Sequence, residues 1–512
     1  MRNRSMKPFG RARAFSPALA TVVALAVAVC FAASLLLAVP AMAQKIVDHP
    51  EKLTYKELKY QPPKPGDYRH KLKGGATAYV AENHDVPTFD LTIIVRTGSM
   101  YEPVAKAGLA DMTGYVMRNG GVEGMTQKEL DERLAYLAGE INVNISGAQG
   151  TVNLFCLSKD IDEGLSLLKK VLRSPVFDQQ VIDRYRADIL SEMEQRNAST
   201  SDIESREWQF LMYGDHPCTT PYRRTEASVK SITREDLAAF HTMHFFPKNF
   251  IFAVSGDFKT KEILAKLDNL LAGWPDQKLQ MPGIPAEVPN PAPGVYMIQK
   301  EDVNQSRIRV GHIGVRRDIP DQYALMVMND ILGGGGFTSR IVRRVRSDEG
   351  LAYNAGSAFE RPVLFPGTFR AWFQTKHETA AFGTGIIVKE IERIRTEKVD
   401  TESVENAKSS FISDVVNPFS SKRNIVNTFA DDEYTSRPDD YWQSYTKNME
   451  KVTPDDVLAV AKKYLRPESL VFLVVGDPEA VEKGSDKHPE KFSDFGKITI
   501  LPLRDPMTLE AK

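Results

Sequence analysis

A chain of 512 residues, 42% hydrophobic and 26% charged, is long enough for two to four ordinary domains and too apolar to remain disordered. Its formal charge of −1 gives no electrostatic reason to expect nucleic acid or an anionic membrane as a partner, and three cysteines are too few for a disulfide framework.

In chain order, Arg2, Arg4, Lys7, Arg11 and Arg13 precede an apolar run from Ala18 to Val39, and Pro40-Ala41-Met42-Ala43 closes it. This is the anatomy of a secretory signal cut after residue 43, which implies a periplasmic location. The run is also long enough to span a bilayer uncut, so an inner-membrane anchor is the alternative. Cleavage removes five basic residues and Cys30, moving the formal charge from −1 to −6 and leaving Cys156 and Cys218. Those two could pair in an oxidising compartment, although Cys156 within an apolar run reads as a buried thiol.

Residues 44–67, with Pro62, Pro63 and Pro65, read as an extended surface segment. Strands are expected at 76–81 and 89–96 around a turn at Asn83-His84-Asp85. Leu109, Met112, Val116 and Met117 form a helical stripe that stops at Gly120-Gly121. Helical periodicity follows over 128–141 and a hairpin over 142–157. Asp160 is then the expected N-cap of a helix carrying Ile161, Leu165, Leu168 and Leu172. A charged helix over 179–196, a helix over 234–244 and a strand over 250–255 complete a first domain, 68–272.

Six prolines between Pro275 and Pro293 mark a stiff linker, 273–294. The pattern then restarts, because Thr453, Pro467 and Gly476 each lie 220 positions beyond Thr233, Pro247 and Gly256 in matching contexts. The chain is therefore a duplicated α+β unit, with a second domain at 295–490 and a tail at 491–512.

The surroundings of the 108–121 helix carry a resemblance. Arg96-Thr-Gly-Ser99, Glu102-Pro103 and Gly108-Leu-Ala110 resemble the first domain of the insulinase-type zinc peptidases, the family of pitrilysin and the mitochondrial processing peptidase. The resemblance implies two sheet-and-helix halves, each mainly antiparallel, paired as a half-clamshell around a chamber. Active relatives carry H-x-x-E-H on this helix, two histidines to hold Zn²⁺ and a glutamate to activate its water. In register this chain offers Asp111, Met112, Thr113, Gly114 and Tyr115. Both imidazoles and the general base are missing, so the metal positions Asp111, Gly114 and Tyr115 are degenerate. Glu192, 77 residues beyond Tyr115, falls where relatives place the third ligand and would be vestigial. His241 and His244, an i, i+3 pair without a flanking glutamate, read as structural or surface residues, and His216 beside Cys218 is a weak candidate pair.

The second half carries Leu332-Gly333-Gly334-Gly335-Gly336, Phe337-Thr-Ser-Arg-Ile341, and Arg346 seven positions before Tyr353. This run resembles the second domain of the same family, where a flexible Gly-rich stretch precedes an Arg and a Tyr that reach toward substrate. That resemblance assigns Gly333 to Gly336 to substrate binding and Arg346 and Tyr353 to catalysis. An Arg fork can hold substrate carbonyls, and a Tyr hydroxyl can donate to an oxyanion. The family includes two-subunit enzymes in which one chain carries zinc and the other presents the Arg/Tyr pair. The expectation is the zinc-free subunit of a periplasmic heterodimer, whose H-x-x-E-H partner holds Zn²⁺ and cleaves an unfolded peptide. A non-catalytic scaffold of the same fold and a homodimer are the alternatives. An independent hydrolase is poorly supported, since no G-x-S-x-G occurs and neither Cys156 nor Cys218 sits in a recognisable catalytic context.

Overall fold

Two apolar strands, one in each half, explain the architecture. Residues 250–254 and 470–475 are continuous apolar runs without the alternation of a half-exposed strand, so both faces of each must be covered. The computed structural model describes residues 60–511 except Asp276, Leu279 and Gln280, together with His49 and Leu53. The leader expected over 1–43 lies outside the described residues.

Strands β1 (Arg69–Lys71), β2 (Thr77–Glu82), β3 (Thr88–Val95), β4 (Glu140–Ser146), β5 (Gln149–Leu157) and β6 (Phe250–Gly256) form the first sheet, in the order β1-β2-β6-β3-β5-β4. Strands β7 (Gly294–Gln299), β8 (Gln305–Ile313), β9 (Ala355–Phe359), β10 (Thr368–Lys376), β11 (Val471–Gly476) and β12 (Ile498–Leu501) form the second, in the order β12-β7-β11-β8-β10-β9. Apart from the edge strands β1 and β12, the positions correspond one to one. In both, the late strand inserts parallel to the first hairpin strand and antiparallel to the second. Each sheet is thus mixed and mainly antiparallel, and the α+β duplication holds.

The repeated residues have physical reasons. Thr233 and Thr453 close capping boxes with Asp236 and Asp456. A Cβ on Gly256 would collide with the Thr88 carbonyl, and one on Gly476 with the Ser306 side chain. Every residue of β6 and β11 is buried. On one face Phe250, Phe252 and Val254 join the core of their own half, as do Phe472 and Val474 in theirs. The other faces are covered by exchange. Ile203, Trp208 and Met212, from helix Thr200–Tyr213 of the first half, pack on Val471, Leu473 and Val475. Ile425, Val426 and Phe429, from helix Lys422–Tyr434 of the second half, pack on Ile251 and Ala253.

Several boundaries differ from the sequence expectation. The helix expected over 128–141 is Gln127–Tyr136, because Ala138 turns the chain at φ 46 before β4 begins at Glu140. Asp160 occupies the N-cap position of helix Ile161–Arg173, but its side chain makes no capping bond. The segment after 490 supplies β12 and ties back to the first half, where Arg504 Nε donates to Glu207 at 3.0 Å and Glu226 N to the Met507 carbonyl at 2.8 Å. The proline-rich linker packs rather than spans, with Ile284 and Val288 against the core around Trp208. Cys156 and Cys218 are free and lie in separate cores, each thiol pushed up to about 12 by burial, so no pairing forms between them.

Candidate functional site

Helix Leu109–Asn119 buries Leu109, Met112, Val116 and Met117 and turns Asp111 and Tyr115 outward. Its first turn is held by Glu102, whose buried carboxyl accepts from Gly108 N at 2.8 Å and Ala110 N at 2.6 Å. Burial pushes that carboxyl up to about 7, against the pull of the two amides.

The degenerate metal positions are engaged by other side chains. Asp111 Oδ2 accepts from Arg224 Nη2 at 3.0 Å and from the Tyr185 hydroxyl at 3.1 Å. The Tyr115 ring stacks on Tyr185, with centroids 3.7 Å apart and planes 5° apart. Burial and the neighbouring Asp111 carboxylate hold the Tyr185 phenol well above its usual range, so it stays protonated. Gly114 is buried, and a Cβ there would sit 3.1 Å from Ile145 Cγ1 and 3.3 Å from its amide nitrogen. Glu192 lies two turns beyond Tyr185 on helix Gln179–Gln195, exposed, in the wall of a cleft of about 910 Å³ that Tyr185, Arg196 and Arg224 also line. Zinc does not fit this set. The one carboxylate on the motif is neutralised by an arginine, one position has no side chain, and the third is a stacked phenol. Among the described residues no group of three or more His, Cys, Asp or Glu is placed to hold a metal ion.

The histidines are structural. His241 Nε2 bonds the Leu172 carbonyl at 2.8 Å, and burial pushes His244 down to about 4, so both stay neutral. His216 bonds the Pro285 carbonyl at 2.9 Å and accepts from Cys218 N at 3.2 Å, which makes it a turn residue pinning the linker.

In the second half, helix Gln322–Asn329 widens into a π-helical turn, Asp330–Gly334, and a second π turn covers Arg343–Asp348. The glycine run is therefore wound backbone, not a loose loop. A Cβ on Gly333 would lie 2.6 Å from Ser357 N, so packing on β9 demands glycine there, and one on Gly334 would lie 2.6 Å from Asn329 Nδ2 at the end of the preceding helix. Gly336, at φ 65, has open space around it. Such widened turns break the regular helix repeat and re-aim side chains. Here they bring Arg346 and Tyr353 together, with the guanidinium carbon 4.5 Å from the ring centroid. The guanidinium carbon also lies 4.4 Å from the Phe337 ring centroid. Sequence reasoning passed over Phe337, although an aromatic directly after four glycines is a signal for an exposed ring. Among the described residues, no hydrogen bond, ion pair or ring contact joins Arg346 or Tyr353 to Asp111, Tyr115 or Glu192.

Comparison with known proteins covers both halves. The family model described as insulinase (peptidase family M16) matches residues 78–223, and the peptidase M16 inactive domain matches 231–411. The chain is 22% identical over 349 residues to an uncharacterised zinc protease of Rickettsia bellii, covering 67% of this chain and 82% of that protein. It is 21% identical over 399 residues to the non-peptidase homolog YmxG of Helicobacter pylori, covering 77% of this chain and 90% of that one. The crystal structure of a peptidase M16 inactive domain from Pseudomonas fluorescens superposes with a TM-score of 0.73 at 23% identity, over 80% of this chain and 97% of that chain. Both halves of the molecule, and the degenerate zinc helix between Gly108 and Gly120, are thus those of a chain that belongs to the insulinase family, peptidase family M16, and resembles its inactive members.

Proposed function

We propose that this chain is the zinc-free subunit of a two-subunit metallopeptidase of the bacterial envelope, reaching the periplasm by its N-terminal signal. Its partner carries H-x-x-E-H, Zn²⁺ and the general base. This chain closes the chamber and offers Arg346 and Tyr353 to the peptide under attack. One contrast carries the reading: the metal position is filled by Asp111, Arg224 and the Tyr115–Tyr185 stack, whereas Tyr353 is 85% exposed and neither its hydroxyl nor the Arg346 guanidinium has a hydrogen-bond partner within the described residues. A side chain kept out of the core and without a partner in its own chain is placed to meet another molecule.

In the assembled enzyme the Arg346 fork would hold substrate carbonyls, and the Tyr353 hydroxyl would donate to the oxygen that gains charge as the carbonyl is attacked. The test is affinity capture of the tagged chain from its native envelope, with the eluate assayed for peptide cleavage. A near-stoichiometric H-x-x-E-H partner and cleavage lost on chelation are the expected results. Capture with unrelated proteins and no cleavage would replace this reading by that of a non-catalytic envelope scaffold, the reading that similarity to a non-peptidase homolog favours.

A further inference from the structure

The Arg346 guanidinium is packed against two rings, with Phe337 at 4.4 Å and Tyr353 at 4.5 Å from its central carbon. A planar guanidinium donates in its own plane, so rings packed against it leave its donors at the edge. That edge makes no hydrogen bond or ion pair among the described residues, although acids are near. Asp348 and Glu349 are taken by Arg344 instead, at 3.2 and 3.5 Å. The two rings are themselves 64% and 85% exposed. Beneath them, Val345 and Ala352 are buried and Ser357 locks Asn329, its Oγ donating to Oδ1 at 2.9 Å. Two exposed rings and a half-buried guanidinium thus stand on a packed base.

We propose that Phe337 is a positioning residue for Arg346: with Tyr353 it holds the guanidinium edge-on to solvent as a fork for the main-chain carbonyls of an extended peptide. The inference rests on reading Arg346 as substrate-facing. Clamping lowers the freedom the side chain loses on binding, and covered faces shield the edge bonds from water. Main-chain carbonyls suit the fork because they are neutral acceptors that an extended peptide presents in series along its edge.

The experiment uses the full chain and a fluorescein-labelled, C-terminally amidated, unstructured peptide rich in Ala and Ser, read by fluorescence polarisation. Phe337→Ala should weaken binding roughly threefold to tenfold, and Phe337→Tyr should restore it. On an Arg346→Ala background, Phe337→Ala should add nothing, since its effect runs through the guanidinium. Additive losses would make Phe337 an independent contact and overturn the positioning role. Loss with Arg346→Ala and none with Phe337→Ala would overturn this inference and leave the reading of Arg346 standing. No binding by the wild-type chain, or no loss with either variant, would overturn both. An otherwise identical peptide with a free C-terminus binding far more tightly, in an Arg346-dependent way, would overturn the assignment to carbonyls. Both positions are outside the core, and unchanged thermal unfolding of the variants keeps the comparison one of binding.

Discussion

Tyr115 and Tyr185 lie face to face, 3.7 Å between centroids and 5° between planes. The stack, together with the Arg224–Asp111 pair, makes a packed joint between helices Leu109–Asn119 and Gln179–Gln195. The positions expected to be degenerate metal ligands are thus engaged within the chain.

Restoring the letters should accordingly not restore the metal. The triple variant Asp111→His, Gly114→Glu, Tyr115→His removes the stack and the ion pair, and forces a carboxylate into a buried position against Ile145. We expect a loss of at least about 2 kcal/mol of stability and no stoichiometric zinc. Chemical denaturation and metal analysis after dialysis check this. One tightly held zinc per chain with wild-type stability would show that the site is only dormant.

Stability should depend on pH through three buried groups. Burial pushes His244 and His312 down to about 4 from 6.5, and His312 is committed to its neutral form, Nδ1 bonding the Ile313 carbonyl while Nε2 accepts from Arg466 N. Between pH 6.5 and 4 the unfolded chain binds protons that the folded chain refuses. Stability from these groups is full above 6.5 and is lost on acidification, of order 3 kcal/mol each. Glu102 acts oppositely: its carboxyl, pushed up to about 7 from 4.5, keeps a proton that the unfolded chain releases, so its contribution falls as pH rises through that window. Relative to wild type, denaturation midpoints should fall from pH 6.5 to 4 more steeply in Glu102→Gln and less steeply in His312→Gln. A His312→Gln profile as steep as that of wild type would contradict the burial of this histidine.

The sequence revealed elements whose physics is local and hid those whose physics is long-range. The 220-residue offset was legible because capping boxes at Thr233 and Thr453 and close approaches at Gly256 and Gly476 demand particular residues. Helix Thr200–Tyr213 was not, since Glu204, Arg206 and Glu207 interrupt its apolar face: Arg206 pairs with Glu207, and the two glutamates also take Arg309 and Arg504 from the rest of the fold. Its counterpart Lys422–Tyr434 was equally silent. In the site, the missing H-x-x-E-H could be read directly. That Arg224 takes Asp111, and that Phe337 caps Arg346, depends on side chains 113 and 9 positions apart meeting in space.

Exchange of helices between the halves should make them one cooperative unit, and Glu204 is the sensitive point. It is 1% exposed and accepts from Arg309 Nη2 at 2.9 Å and Arg307 Nε at 3.3 Å, across the boundary between the halves. Glu204→Ala leaves the Arg309 charge buried and unpaired, at a cost of about 3 to 5 kcal/mol. The paired change Glu204→Leu, Arg309→Met removes both charges and should recover most of that loss. Guanidinium unfolding reads both. A single variant as stable as wild type would mean that water already reaches the pair.

Tyr353 can be tested in the enzyme that we propose forms with a zinc-bearing partner. Phe in its place keeps the ring and hence the 4.5 Å clamp on Arg346, and removes only the hydroxyl. If that hydroxyl donates to the oxygen that gains negative charge, it binds the transition state and not the ground state. Tyr353→Phe should then lower kcat by about tenfold to a thousandfold with KM little changed, as for loss of one oxyanion donor. Tyr353→Ala removes the clamp as well and should raise KM in addition, because Arg346 loses one of its two covering rings. Steady-state cleavage of a quenched fluorescent peptide separates the two constants. An unchanged kcat in Tyr353→Phe would take the hydroxyl out of the chemistry and leave the ring as a binding element alone.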